Sequence, residues 1–163
     1  MNGVAAIRGA LQSTQHILGM YLNDLSDADL LIRPVAGANH IAWQLGHLIV
    51  AEGKLLDVLP GIRFPDLPAG FEALHDQKGA NDEPNAAYLK KSEYLDLFNR
   101  SRAVSLAALD TMTDADLDKP NPGPMAKFAP TLGALLLLVS NHTLMHAGQF
   151  TVVRRKLGKP VVI

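Results

Sequence analysis

Four long segments of this chain repeat apolar residues at the spacing of an α-helix, and this pattern constrains the fold most strongly. Apolar and polar residues rarely alternate between tight turns, so strand signals are weak. Proline and glycine separate the helical segments. The predicted helices cover about Val4–Leu25, Ile41–Val58, Asn85–Met112 and Thr131–Leu157. Four amphipathic helices of this length predict an all-α fold, a four-helix bundle.

Two connections between these helices are long, roughly Leu59–Pro84 and Thr113–Pro130. Long loops in a compact domain either cross the structure or contribute to function. A crossover between the second and third helices would let those two helices run parallel. With 163 residues, the chain has the length of one domain, which we expect to span residues 1–163.

Composition excludes several classes of function. The formal net charge is −1 and no basic patch stands out, which argues against a nucleic-acid partner. The absence of cysteine excludes disulfides, thiolate metal sites and cysteine nucleophiles. The longest apolar run, 134–139, is too short to cross a bilayer, and the first residues lack a secretion leader pattern. We therefore expect a cytoplasmic protein that does not insert into membranes.

The segment NHTLMHAGQF on the fourth predicted helix contains His142 and His146, four residues apart. This spacing places both imidazoles on one helix face, one turn apart, where they can bind one metal ion. The residues around the pair are largely apolar, so the pair is expected to face the core, where an unpartnered histidine costs stability. The alternative is two ordinary helix histidines, one at the surface and one hydrogen-bonded in the core.

Two side chains hold a metal ion loosely, so a third ligand should come from a facing helix. The segment HIAWQLGHL on the second predicted helix offers His47 as the candidate. Trp43 and His40 lie near the same face, one and two turns earlier, and are weaker candidates for binding the substrate or supporting the ligands. Trp43 is expected to anchor the core, and His40 to cap the helix or be exposed to solvent.

Other polar residues have weaker signals. Gln149 is expected to hydrogen-bond a ligand histidine or to pack beside the site, because it follows His146 by three residues. Glu52 could orient a ligand imidazole or be a solvated surface carboxylate. His75 lies in the long loop beside an aspartate, where we expect it to be solvated unless that loop covers the site. His16 on the first helix has no such context.

Three segments in this order resemble the DinB/YfiT-like family of metalloenzymes: RPVAGANHIAWQLGHL, NHTLMHAGQF and the terminal RRKLGKP. The resemblance covers about residues 5–160. It implies an up-down-down-up bundle topology, with His47, His142 and His146 as ligands of a divalent transition metal. Family members are often homodimers, and some are S-transferases that join a low-molecular-weight thiol, such as bacillithiol or mycothiol, to an electrophile.

Three neutral imidazoles would leave an open position on the ion, which is typical of catalytic rather than structural sites. The sequence therefore favours a metal-dependent enzyme acting on a small molecule, either a thiol S-transferase or a hydrolase. Zinc, nickel and iron all suit such a site. Two alternatives remain: a non-catalytic metal- or small-ligand-binding bundle, whose open position His40 or His75 could fill, and a haem protein.

Overall fold

A computed structural model describes residues 1–76 and 87–162 of the chain, and within these ranges it contains helices but no β-strand. The all-α prediction is confirmed. The helices are α1 (Gly3–Leu22), α2 (Asp27–Leu30), α3 (Ile41–Leu56), α4 (Phe71–Leu74), α5 (Lys91–Asp110), α6 (Asp114–Leu117) and α7 (Leu132–Lys156). The four long helices α1, α3, α5 and α7 correspond to the four predicted segments.

The ends of the long helices differ from the predicted ends by a few residues. Thr131 caps α7 as expected, because its hydroxyl accepts the backbone N–H of Ala134 at 3.2 Å. Helix α5 begins at Lys91, later than the predicted start at Asn85, which lies outside the described residues. The backbone N–H of Lys90 donates to the carboxylate of Glu93 at 2.8 Å, and this bond fixes the start of the helix.

Three short helices within the described residues were not predicted, and for two of them, α2 and α6, the sequence carries a signal. The same five-residue pattern, Ser or Thr followed by DADL, begins at Ser26 and again at Thr113. Each pattern forms a capping box with its second aspartate, Asp29 or Asp116. In each case the box starts a four-residue helix directly after a long helix, which turns the chain at the end of the bundle.

Contacts between helices establish the up-down-down-up topology. Thr14 contacts Ser140 and Tyr21 contacts Thr151, so α1 and α7 run parallel. Gln15 binds Asn99 while Leu22 binds Lys91, so α5 runs antiparallel to α1. Gln44 binds His146, whereas residues 54 and 55 face Leu138, so α3 is antiparallel to α7. Helices α3 and α5 therefore run parallel, as the long connection between them predicted.

The bundle core consists of two apolar clusters separated by a buried polar layer. Tyr94, Phe98 and Phe150 belong to one cluster, and Leu11 and Leu136 belong to the other. None of the helices within the described ranges combines the length and the hydrophobicity needed to span a bilayer.

The polar layer is built around an ion pair between Arg102 and Glu52, both almost fully buried. The guanidinium donates to both carboxylate oxygens, at 2.9 and 3.0 Å, and Ser105 donates to one of them at 2.6 Å. Arg102 also donates to the carbonyl of Leu11 and to the hydroxyl of Thr143. The pair thus connects all four long helices, and its hydrogen bonds offset the cost of burying two charges.

Candidate metal centre

A buried histidine caps the start of helix α3. The Nδ1 of His40 accepts the backbone N–H of Trp43 at 3.0 Å, which caps the helix. His40 is 4% exposed, so it caps the helix as one prediction stated but is not exposed to solvent. Trp43 is buried as predicted, and its ring stacks on His47 with centroids 4.9 Å apart and planes within 9°. This stacking restricts the orientation of the His47 ring.

The imidazoles of His47, His142 and His146 converge between α3 and α7. The centroid of the His47 ring lies 5.2 Å from that of His142 and 5.4 Å from that of His146. The Nε2 atoms of His142 and His146 are 3.1 Å apart, and one nitrogen from each of the three rings lies within 4.8 Å of the others. Tetrahedral ligands at about 2.1 Å from an ion lie roughly 3.4 Å apart. The three nitrogens can therefore hold a divalent metal ion.

Hydrogen bonds to the other ring nitrogens orient two of these imidazoles. Nδ1–H of His146 donates to the side-chain oxygen of Gln44 at 2.9 Å, and Nδ1–H of His47 donates to the backbone carbonyl of His75 at 3.3 Å. Gln44 is itself fixed, because its amide nitrogen donates to the carbonyl of Asn39 at 2.9 Å. Each bond places the ring proton on Nδ1 and leaves a lone pair on Nε2, the state that a metal ligand requires.

Burial keeps the three histidines in the neutral state that binds metal. Burial, with the neighbouring histidines as lesser causes, lowers the pKa of His142 to about 4 and that of His146 to about 3. Burial also lowers the pKa of His47, although its bond to the His75 carbonyl acts in the opposite direction. All three rings are therefore uncharged at neutral pH, each with one ring nitrogen that carries no proton.

A cavity of about 380 Å³ opens beside His47 and His142. Most of its wall is apolar, formed by Val50, Ala51 and Leu55 of α3 and by Leu138 of α7. Both predicted long connections also contribute, one with residues 75–76 and the other with Pro124 and Met125. A small molecule in this cavity would contact two of the three histidines.

A larger cleft of about 840 Å³ lies between α3 and residues 62–73, but none of the three histidines lines it. Its wall carries charges of both signs, including Lys54, Arg63 and Asp66. The candidate metal centre therefore lies beside the smaller of these two cavities.

Three of the weaker predictions are corrected by the structure. Glu52 is 3% exposed and its carboxylate binds Arg102 and Ser105, so it is neither solvated nor the partner of His47. Gln149 is exposed, and Gln44 takes the position beside His146 that was predicted for it. His75 is fully buried rather than solvated.

Sequence reasoning missed Gln44, although a signal was present. Gln44 precedes His47 by three residues and therefore lies near the same face of α3. A glutamine that is 2% exposed needs hydrogen-bond partners, and a histidine on the facing helix supplies one. The face of α3 that carries His47 thus also supplies the residue that orients His146.

The fold and the site together define a class of protein: a four-helix bundle with three histidines gathered between two of its helices, in an arrangement suited to a divalent metal. The model of the DinB superfamily matches residues 10–150, so the chain belongs to this superfamily. No curated protein matches the chain significantly.

Several solved structures share the fold of this chain. YfiT from Bacillus subtilis, a probable metal-dependent hydrolase with an unusual four-helix bundle topology, aligns with a TM-score of 0.68 and 19% identity over 96% of this chain and 89% of YfiT. A conserved protein from Enterococcus faecalis aligns with a TM-score of 0.68 and 16% identity, covering 98% of this chain and 99% of its own. A DinB-like protein from Bacillus cereus aligns with a TM-score of 0.64 and 21% identity, and the alignment covers 94% of this chain and 91% of that protein.

Proposed function

We propose that this protein is a divalent-metal-dependent enzyme in which His47, His142 and His146 bind the ion through Nε2. The convergence of three neutral imidazoles from two helices carries the proposal, since their ring centroids lie 4.7 to 5.4 Å apart. The rings fit an ion chemically as well. The hydrogen bonds of His47 and His146 at Nδ1 leave the Nε2 lone pairs available inside the cluster.

An open coordination position favours an enzyme over a closed metal-binding module. Neither of the two histidines that could have supplied a fourth ligand belongs to the cluster. The Nδ1 of His40 caps α3, and both nitrogens of His75 bind partners, the carbonyl of Phe71 and the hydroxyl of Tyr94. Within the described residues, the cluster able to hold a metal has three members. A divalent ion held by three neutral ligands supplies Lewis acidity, which lowers the pKa of a bound water or thiol.

The protein's own residues would contribute positioning and exclusion of water. Gln44 and the carbonyl of His75 hold two imidazoles in the required orientation. The apolar wall of the cavity holds the substrate beside the histidines and lowers the local polarity, which strengthens electrostatic interactions there. The reaction class that we favour is hydrolysis, in keeping with the assignment of YfiT as a probable metal-dependent hydrolase.

Transfer of a small thiol to an electrophile is the second candidate. The chain contains no cysteine, so a thiol nucleophile would come from a second substrate. Hydrolysis needs only water in addition to the substrate. A panel of ester and amide substrates, compared with a panel of small thiols and a generic electrophile, separates the two reactions. Zinc, nickel and iron are the metals to be tested in each assay.

The metal site is tested by stripping the protein, refilling it and measuring bound metal by elemental analysis. We expect about one ion per chain and a loss of stoichiometric binding in His47→Ala and His142→Ala. The matched control is His16→Ala, because His16 is exposed on α1 and lies outside the cluster. Stoichiometric metal in His142→Ala would overturn the ligand assignment, and loss of metal in His16→Ala would show that the binding is nonspecific.

We further propose that the protein forms a homodimer through α7. Four large apolar side chains on this helix are at least 40% exposed: Leu137, Leu144, Met145 and Val152. Their spacing of seven, one and seven residues places them along one stripe of the helix, away from the face that packs against α1 and α3. The same stripe on a second chain would pack against this one, and the contact would bury these side chains in both chains.

A further inference from the structure

We propose that the substrate of this site carries an apolar body beside the group that reacts at the metal. The inference rests on the proposed metal site and specifies what the adjoining cavity accepts. Along α3, the residues that follow His47 on the cavity side are Val50, Ala51 and Leu55, at helical spacing. On α7, Leu138 precedes His142 by one turn. The metal-facing stripes of both helices therefore continue as an apolar surface.

The size and the polarity of the cavity define the class of ligand. A cavity of about 150 Å³ accommodates benzene, so about 380 Å³ accommodates one or two rings or an equivalent aliphatic chain. The charged side chains in the wall, Lys54 and Asp76, are both exposed, and Lys54 binds Glu72 at 3.4 Å. A substrate with a strongly charged body would lose hydration against the apolar part of the wall without gaining a buried partner.

Hydroxamates test this inference without knowledge of the natural substrate. The Co(II)-loaded protein is titrated with acetohydroxamate and with benzohydroxamate, and binding is followed by the visible absorption of Co(II). After correction for the affinities of the two compounds for free Co(II), we expect benzohydroxamate to bind about tenfold more tightly or better, because its ring buries additional apolar area.

Two variants of similar shape localise the effect. Met125→Gln introduces a polar group into the cavity wall and should remove most of the preference for the aromatic compound. Met20→Gln makes the same change on α1, at a residue that does not line this cavity, and should leave the preference unchanged. Equal corrected affinities for the two compounds in the unmodified protein would overturn this inference while leaving the metal site intact. Failure to bind Co(II) at all would overturn the proposed function.

A separate observation assigns His75 as a positioning residue for the ligand His47. The His75 ring lies directly on the backbone of α3 at Gly46, where a Cβ atom would come within 2.1 Å of the ring. Its two nitrogens are both satisfied: Nδ1–H donates to the carbonyl of Phe71 at 2.7 Å, and Nε2 accepts the hydroxyl of Tyr94 at 2.8 Å. These contacts fix the backbone carbonyl of His75 where it accepts Nδ1–H of His47.

Gly46 is therefore required because the His75 ring packs closely against its backbone, and not because its backbone angles are unusual. Glycine is unfavourable inside a helix, so alanine on its own would favour α3. At position 46, however, the added methyl group would displace the His75 ring and the carbonyl that it holds. His47 would lose the partner that fixes its ring orientation and its proton on Nδ1.

Gly46→Ala tests this role, and Gly53→Ala on the same helix is the matched control. A Cβ atom at position 53 meets only Phe64, at an ordinary contact distance of 3.7 Å. We expect Gly46→Ala to bind Co(II) about 10- to 100-fold more weakly and to alter its visible spectrum. Gly53→Ala should retain both the affinity and the spectrum.

Tyr94→Phe supplies an independent readout, because it removes the hydroxyl that binds the His75 ring without adding bulk at α3. We expect a smaller shift of the Co(II) spectrum in the same direction as that of Gly46→Ala. Thermal unfolding of each metal-free variant separates positioning from general loss of structure. Unchanged Co(II) affinity and spectrum in a folded Gly46→Ala protein would overturn the assignment of His75.

Discussion

Gln44 on α3 accepts the Nδ1 proton of His146 on α7 at 2.9 Å, and this bond joins the two helices that carry the histidine cluster. The amide of Gln44 cannot rotate freely, because its nitrogen donates to the carbonyl of Asn39. The oxygen therefore faces His146, and the lone pair on Nε2 of His146 faces the cluster. Gln44 thus sets the position of the ring proton on His146, which we propose as a metal ligand.

The first prediction concerns this bond. Gln44→Met preserves the length of the side chain and removes the acceptor, so His146 is free to place its proton on Nε2. We expect metal affinity to fall by about 10- to 100-fold, measured by competition with a chromophoric chelator. Gln149→Met is the control, because Gln149 is exposed on α7 and should not affect affinity. Equal affinities for the two variants would contradict the orienting role of Gln44.

The sequence predicted the features that depend on periodicity. Helical spacing identified the four long helices, and the i, i+4 spacing of His142 and His146 placed both rings on one face. The position of His47 opposite that pair depends on how α3 packs against α7, and it was inferred from resemblance together with the need for a third ligand. The structure brings the three rings together, and their role as metal ligands stays a prediction.

Features that depend on packing between distant segments were not predictable from local pattern. Glu52 resembles a surface carboxylate until Arg102, 50 residues later, is placed beside it. His75 lies in a loop segment, where histidines are usually solvated, but the flat surface at Gly46 and the hydroxyl of Tyr94 create a buried site for its ring. In each case the partner is remote in sequence, and burial follows from the partner.

The second prediction concerns the buried ion pair. Arg102→Met leaves the Glu52 carboxylate buried without its partner, and we expect the free energy of unfolding to fall by about 3–5 kcal/mol in urea denaturation. Arg100→Met is the control two residues away, because its pair with Asp96 is more than half exposed and should contribute less than about 1 kcal/mol. The double variant Arg102→Met/Glu52→Gln should recover part of the loss, since it removes the uncompensated charge. A loss below about 1 kcal/mol in Arg102→Met would argue against this account.

The third prediction is a dependence of stability on pH through His40. Burial, followed by the charge of Arg33 and the proximity of His75, lowers the pKa of His40 to about 4 from its usual value near 6.5. The aromatic ring of Tyr88 also packs against it, with centroids 4.5 Å apart. Between pH 6.5 and pH 4 the unfolded chain binds a proton at this residue that the folded chain does not. Stability is therefore lost as the pH falls through this window.

His40→Asn tests the sign and the size of this effect, because asparagine retains an N-cap acceptor and does not titrate. Between pH 7 and pH 5, urea denaturation of the metal-free protein should show the variant losing about 2 kcal/mol less stability than the unmodified protein. Parallel pH profiles for the two proteins would show that His40 does not carry the dependence. His16→Asn, at an exposed position, is expected to follow the unmodified protein.

The fourth prediction concerns the apolar stripe on α7. Leu144 is 45% exposed near the middle of the stripe, so a charge there would be buried without a partner between two copies of the helix. We expect light scattering coupled to size-exclusion chromatography to give a dimer for the unmodified protein at micromolar concentration and a monomer for Leu144→Glu. Leu31→Glu changes a leucine that is similarly exposed, at 48%, outside α7, and it should remain dimeric. A dimer that persists in Leu144→Glu would place the interface elsewhere, and a monomeric unmodified protein would remove the proposed dimer altogether.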